Sequence, residues 1–594
     1  MSSSARRPVG FIALLVSGLI MAVVLLELTG MGEGSAGAAV TVIPGPTAKN
    51  ASVWSGVSFR GVRAGKAGPI SIRGSRSGRH SATRKRHGDN RGFSLVLKRS
   101  FRTSEYVTVK TRLRVNGASG GTWRFRTENL GGPRSKRVAP RERKSTGFPG
   151  YRTRPNLAPP RMEISTRTDA ASKKPLFIGA KDAGTTIYDA DGEPVWIRPG
   201  RTMDFRTQKW RGRPVLTWFE APTKGSGLKR NMYMIADRSY RIIRRVTPGN
   251  GYSADSHEFR MTSRGTAFIT SYRTHIRDLR SVGQAKNGRV SDSIAQEIDL
   301  KTGRVIWEWH SLDHVPVRHT YAETPRRPGT PFDYFHINTI ADTPDGNVLI
   351  TGRSTNAVYK VSRKTGRILW TLGGRASDFR MGKGAAFSWQ HDSQLLPGGR
   401  ISIYDNGHAP VIAKPWRNQS RGVILKLDQR RKRATVVNRF FHPARPLAST
   451  QGNLQNLGGG RYLVGWGGVP LVSEHDSTGK LLFDARLTGV GSFYRAYRAN
   501  WQGRPKSKVA VVAQRTSNPG QTRLWISRNG DTATRRWQIL AGPSANSLSV
   551  VATRARDGFE TVTAAPTSAR FIKVRGLDSK GKVTGNSAAV RSAD

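Results

Sequence analysis

Short runs of alternating apolar and polar residues, separated by Gly, Pro, Asn, Asp or Ser, fill most of this chain, and that period-two pattern predicts strands. From Ala51 to Leu130 the alternation is carried by runs such as Phe93–Leu97 and Tyr106–Val115, which predict a small antiparallel sandwich. It stops between Gly131 and Arg161, where Pro140–Lys144 and Pro159–Arg161 read as a linker or an extended docking arm. From Leu176 to Trp501 a motif recurs: Asp189–Trp196, Asp299–Trp307, Ser362–Trp370 and Asp476–Phe483, with degenerate copies at Asp237–Ile243 and Asp428–Val437. Each clear copy is a strand ending in Asp or Ser, a tight turn with Gly where positive φ is needed, and a strand closed by an aromatic residue. A second turn, Pro344–Gly346 or Pro397–Gly399, precedes an apolar strand in the later copies. Two hairpins make a four-stranded blade, so six copies predict a six-bladed β-propeller; a solenoid or a pair of sandwiches is the competing arrangement.

After Gln514 the runs Thr522–Ser527, Trp537–Leu540, Ser547–Val551 and Arg570–Arg575 resemble a fibronectin type III sandwich. The fold class expected is therefore all-β. A leader occupies 1–38, an N-terminal β-sandwich 39–130, a basic linker 131–165, the propeller 166–505 and a C-terminal β-sandwich 506–594. Within the leader, Arg6 and Arg7 precede the apolar run Val9–Leu26 and the small residues Ala36–Ala38, the order of an export signal. The run also approaches the ~20 residues that span a bilayer, so a signal and an uncleaved membrane anchor both fit. Either places the bulk of the chain outside the cytoplasm.

Charge adds a constraint. The chain holds 99 Lys and Arg against 39 Asp and Glu, a formal charge of +60. Such a surface attracts polyanions, anionic lipid head groups or small anionic substrates. The excess is spread along the chain, as arginine-rich composition alone would give, and does not point to nucleic acid. With no cysteine, disulfides, thiolate catalysis and cysteine zinc sites are excluded.

Three histidines share one slot in successive blades: His257 in Asp255–Phe259, His336 in Asp333–Asn338 and His391 in Trp389–Leu396. His257 and His391 each lie eight residues before the turn glycines Gly265 and Gly399, and His336 lies ten before Gly346. An inner strand begins at the mouth of an axial channel, so this register aims the three at one point. The next blade has no histidine in the slot but holds Asn453 nearby. His310, His314 and His319 cluster after Trp307 and read as solvated or lid residues. Arg353 ends the strand after His336, and Arg273 holds the corresponding place one blade earlier. A guanidinium fork beside imidazoles suits a tetrahedral oxyanion and is repelled by a divalent cation, which weighs against zinc or iron on the three histidines.

His257, His336–Asn338, Thr351–Arg353 and Gln390–Asp392, on six blades behind a sandwich, resemble the bacterial arylsulfate sulfotransferase family over residues 165 to 505. The resemblance implies sulfuryl transfer from a phenolic sulfate to another phenol through a sulfohistidine, with no nucleotide, metal or other cofactor. It implies His391 as nucleophile, His336, Arg353 and Asn338 as the clamp on the sulfuryl oxygens, and His257 as general acid or base. Asn453 and Arg273 are further expected substrate contacts, and Asp392 or a backbone carbonyl is expected to orient His391. The implied partners are aryl sulfates and phenols, with an anionic cell wall or membrane as a surface the basic protein would meet. A non-catalytic cell-surface scaffold is the alternative from another class.

Overall fold

The computed structural model describes residues 39–129, 150–223, 228–327, 329–408 and 418–593. The apolar run Val9–Leu26, the small residues Ala36–Ala38 and most of the linker lie outside them. No helix among the described residues is long and apolar enough to cross a membrane.

The regular structure among the described residues is almost all β-strand, paired antiparallel except where Arg380–Met381 joins its sheet in parallel. At the N-terminal end, one sheet orders Thr41–Ile43, Val57–Arg60, Gly92–Leu97 and Ala82–Arg86; the other orders Gly78–Arg79, Ile70–Gly74, Tyr106–Thr111 and Thr122–Arg126. Alternation buries Phe59, Phe93, Val107, Val109, Trp123 and Phe125 between them, and this apolar contact holds the two sheets together.

Six further sheets follow. The second runs from Arg201–Trp210 to Ile242–Val246, the third from Phe259–Met261 to Val305–His310 and the fourth from Ile337–Asp342 to Ile368–Gly373. The fifth runs from His391–Leu396 to Arg433–Phe440 with Arg380–Met381 added, and the sixth from Asn453–Gly458 to Leu481–Thr488 with Arg161–Arg167 added at its outer edge. The first sheet is assembled from both ends of this stretch: Leu176–Ala180, Gly184–Tyr188 and Pro194–Arg198 are joined by Ala496–Arg498, which pairs with Leu176–Ala180.

All six copies of the recurring motif join the last two strands of a sheet. In each, the leading side-chain oxygen accepts from turn backbone N–H groups, as Asp189 does from Asp191 and Glu193, Asp476 from Thr478 and Lys480, and Ser362 from Thr365. In the degenerate copies Tyr240 at φ 65° and Lys432 at φ 50° stand where glycine is expected.

Apolar clusters separate neighbouring sheets in turn. Trp196 and Phe205 belong to the cluster between the first and second, Tyr233 and Phe259 to the next, Trp307 and Ile350 to the third, and Trp370 and Ile403 to the fourth. Tyr404 and Val464 pack between the fifth and sixth sheets, and Leu463 and Val472 of the sixth pack on Leu176 and Tyr188 of the first.

Two three-to-five-stranded sheets follow, over a core that includes Leu524, Trp537 and Val574. The end of the linker lies on them: the backbone N–H groups of Arg152 and Thr153 donate to Glu560, and Tyr151 packs on Phe559 with ring centres 4.4 Å apart.

Candidate active site

The three histidines stand at the leading ends of the inner strands of the third, fourth and fifth sheets. His257 and His336 meet edge to face, with ring centres 4.8 Å apart. Each has its own aspartate: His257 Nδ1 bonds Asp255 Oδ2 at 2.7 Å, and His336 Nδ1 bonds Asp333. Tyr272 and Tyr494 pack against the His257 ring, and the Tyr494 hydroxyl donates to the His257 carbonyl at 2.9 Å. The His257 and His336 side chains are 19% and 14% exposed, whereas His391 is 1% exposed and lies deepest of the three.

Hydrogen bonds fix the His391 tautomer. Nδ1 faces two acceptors, Asn406 Oδ1 at 2.8 Å and the Trp389 carbonyl at 3.0 Å, so it carries the proton. Nε2 accepts from the Gln451 backbone N–H at 3.1 Å. Burial, and then the charge of Arg353, hold the His391 pKa well below the usual histidine value, with His257 and His336 acting in the same direction. For His336 burial again dominates; Asp333 opposes it and Arg353 adds to it, leaving the pKa lowered to about 4. Both rings are neutral at physiological pH.

Arg353 reaches this pocket from the end of Val348–Gly352. Its guanidinium carbon lies 5.0 Å from the centre of the Trp389 ring, a cation–π contact two residues before His391. Among the described residues the guanidinium has no hydrogen-bond partner, and its Nε is buried. Asp333 supplies the carboxylate field nearest to it. The backbone around the pocket is strained: His336, Trp389, Asp392 and Gln451 have φ of 54°, 56°, 49° and 68°, a left-handed region that side chains other than glycine seldom adopt. Gln451 is followed by Gly452 at φ 98°, where a Cβ would lie 2.2 Å from the Tyr404 ring.

Four sequence expectations are revised. Arg273 is drawn away from the histidines into a forked pair with Glu128 of the N-terminal sandwich, at 3.0 and 3.2 Å. Asn453 spends its amide on the strand Ala496–Arg498, the latch of the first sheet, donating to the Ala496 carbonyl at 2.7 Å and accepting its N–H at 2.9 Å. Asp392 accepts from Gln394 and does not touch the His391 ring; of the two orienting groups expected, the backbone carbonyl is the one present, joined by Asn406. His310 is buried between Asp292 and Glu308 and not solvated. Asn338 is at the site, but its side-chain N–H donates to the Gln390 carbonyl at 2.7 Å, fixing the strand that begins with His391. Sequence reasoning missed Asn406, Gln451, Tyr272 and Tyr494. Tyr494 leads Ala496–Arg498 much as the histidines lead their strands, a signal that existed once the last strand was assigned to the first sheet.

Behind the histidines lies a buried charged layer. Arg495 reaches Glu258 at 3.2 Å and donates to the Asn338 carbonyl at 2.7 Å; Arg206 pairs with Asp204 at 3.0 Å, with Glu258, and with the Tyr497 hydroxyl at 3.1 Å. This layer ties the first four sheets together behind the pocket.

Residues 206–488, just under half of the chain, match the family model described as arylsulfotransferase (ASST), and that stretch is similar to the arylsulfotransferase family. No curated protein matches the chain. Among solved structures, a Bacteroides caccae protein of unknown function is 14% identical, covering 55% of this chain and 98% of that one with a TM-score of 0.34. A putative 6-phosphogluconolactonase from Bacteroides uniformis is 12% identical, covering 57% and 99% with a TM-score of 0.29. Sqt1 of Saccharomyces cerevisiae is 8% identical, covering 63% and 95% with a TM-score of 0.30. These likenesses are too remote to bear on function.

Proposed function

We propose that this chain is an extracytoplasmic arylsulfate sulfotransferase whose six sheets are the blades of a propeller, with the three histidines at its axial mouth. The domain division 39–130, 166–505 and 506–594 is part of the same reading. The single observation that carries the function is the Arg353 guanidinium: a half-buried cation, its Nε enclosed, with no hydrogen-bond partner among the described residues, stacked on Trp389 beside neutral His336 and His391. A buried charge needs a counter-ion. The family's substrate supplies one, a sulfate ester whose two free oxygens suit the guanidinium fork.

With Nδ1 protonated, the His391 lone pair is on Nε2. Nε2 attacks the sulfur of ArO–SO3−, the N–S bond forms as the S–O(aryl) bond breaks, and the aryloxide leaves with the bond pair. Arg353 bears on the charge that spreads over the sulfuryl oxygens, while neutral His336, its one N–H held by Asp333, lines the space beside them. The aryloxide, of pKa about 10 for a simple phenol, takes a proton from the acid form of His257, which Asp255 orients. In the second half a phenol loses its proton to His257 and attacks sulfur; the N–S bond breaks and neutral His391 is restored. The Gln451 N–H occupies the Nε2 lone pair in the resting protein, so it must yield that lone pair to sulfur, and from there it can donate to a sulfuryl oxygen.

With 4-nitrophenyl sulfate and phenol the protein is expected to release 4-nitrophenol and form phenyl sulfate. His391→Ala is expected to abolish turnover while leaving the unfolding transition in place. Full activity in that variant would remove the nucleophile assignment.

A further inference from the structure

The outward face of one N-terminal sheet has no part in the pocket. The alternation that buries Ile72, Val107, Val109, Trp123 and Phe125 turns Ser71, Arg73, Tyr106, Thr108, Lys110, Thr122, Arg124 and Arg126 outward. Those eight positions hold four cations and no carboxylate. Pairing aligns them: Arg79 faces Arg73, Arg73 faces Thr108 and Thr108 faces Arg124, one register line across all four strands. At ~4.8 Å between strands the line runs for about 14 Å. Like charges opposite each other in a sheet are destabilising, and Arg73 and Arg79 are held in that arrangement. The sandwich meets the third sheet through other parts, Ser58, Gly88 and Glu128 among them, so this face stays exposed.

We infer that this face binds a linear sulfated glycan. Three features select that occupant by charge complementarity. The cations in line are arginines, whose weakly hydrated forks match two oxygens of a sulfate ester better than a lysine point charge does. No aliphatic side chain projects from the eight positions, so nothing is offered to the interior of a bilayer. Tyr106, the one aromatic residue, has the Arg124 guanidinium 4.4 Å and that of Arg126 5.7 Å from its ring centre, and is not a bare platform for stacking a base.

The test uses the full chain and is a binding measurement, independent of turnover. Dextran sulfate is titrated at ~0.15 M salt against uncharged dextran, anionic phospholipid vesicles and a thymidine oligonucleotide. R73Q/R79Q/R124Q is expected to weaken dextran sulfate binding about tenfold and to lower the salt slope by about three, one per lost contact. R523Q/R536Q/R554Q removes the same charge from exposed positions of the C-terminal sheets and is expected to change binding less than about twofold. R73K/R79K/R124K keeps the charge and loses the forks, and about a threefold loss is expected; it carries the test if the Gln triple does not fold. Equal losses from the two Gln triples would show that net charge alone binds, and unchanged binding in the Lys triple would remove the role of the forks. Tighter binding of vesicles or oligonucleotide through the same arginines would replace the glycan with a membrane or a nucleic acid. Each of these three results overturns the inference.

Discussion

Arg353 and His391 act on each other through charge, and that coupling can be measured. Removing the guanidinium in Arg353→Ala takes away a cation that lowers the His391 pKa, so the pKa rises and the ring protonates at higher pH. The acid limb of the kcat/KM profile is expected to move toward neutrality, while kcat/KM at pH 8 falls roughly 10²- to 10³-fold, as for loss of one oxyanion donor. A limb that stays in place would separate Arg353 from the proposed nucleophile. Asn406→Ala removes the side-chain acceptor on His391 Nδ1 and leaves the Trp389 carbonyl, so the tautomer is less firmly held. An activity loss of roughly tenfold with little change in KM is expected from single-turnover measurements.

The latch strand Ala496–Arg498 is the element on which the pocket depends most. Asn453 grips it by both amide atoms, so Asn453→Ala should lower stability by roughly 1–3 kcal/mol in denaturant unfolding, the cost of stranding a buried backbone pair. Gly452→Ala should be worse, because φ 98° is strained for alanine and the new methyl meets Tyr404; activity is expected to fall as Gln451 is pushed from His391. The six outer hairpins were legible in the sequence because an Asp or Ser oxygen and a left-handed residue recur at a fixed offset. The latch was not, since three residues carry no periodicity and their partner strand lies far back in the chain. Arg353 was legible from its place after His336. Arg273 was misread because Thr266–Arg277 runs past the pocket to meet the sandwich, and strand length leaves no mark in a period-two pattern. Asn406 and Gln451 reach His391 from loops, and one of them acts through its backbone, where residue type says nothing.

Across the whole molecule, buried neutral histidines make stability depend on pH. Burial, the largest cause in each, lowers the pKa of His87, His314 and His336 to about 4 and that of His275 to about 3. Unfolded, these groups titrate near 6.5, so the denatured chain takes up protons that the native one refuses. Their stabilisation is complete above pH 6.5 and is lost as the pH falls through about 4, by up to roughly 3 kcal/mol for each group shifted to about 4. The melting temperature is expected to drop between pH 7 and 4.5, and His275→Leu to lessen the drop; a flat profile would contradict the buried neutral state. Because the first sheet takes a strand from residues 496–498, no ribosome-bound or truncated chain ending before that strand can complete this sheet or place Tyr494 beside His257. Folding is therefore late and governed by a long-range contact, which makes it slow, and an unlatched intermediate offers the free edge of Leu176–Ala180 to any extended strand nearby. The same geometry makes the fold its own quality control: a chain that ends between the sixth sheet and the latch loses the fourth strand of the first sheet and the Tyr494–His257 contact in one event.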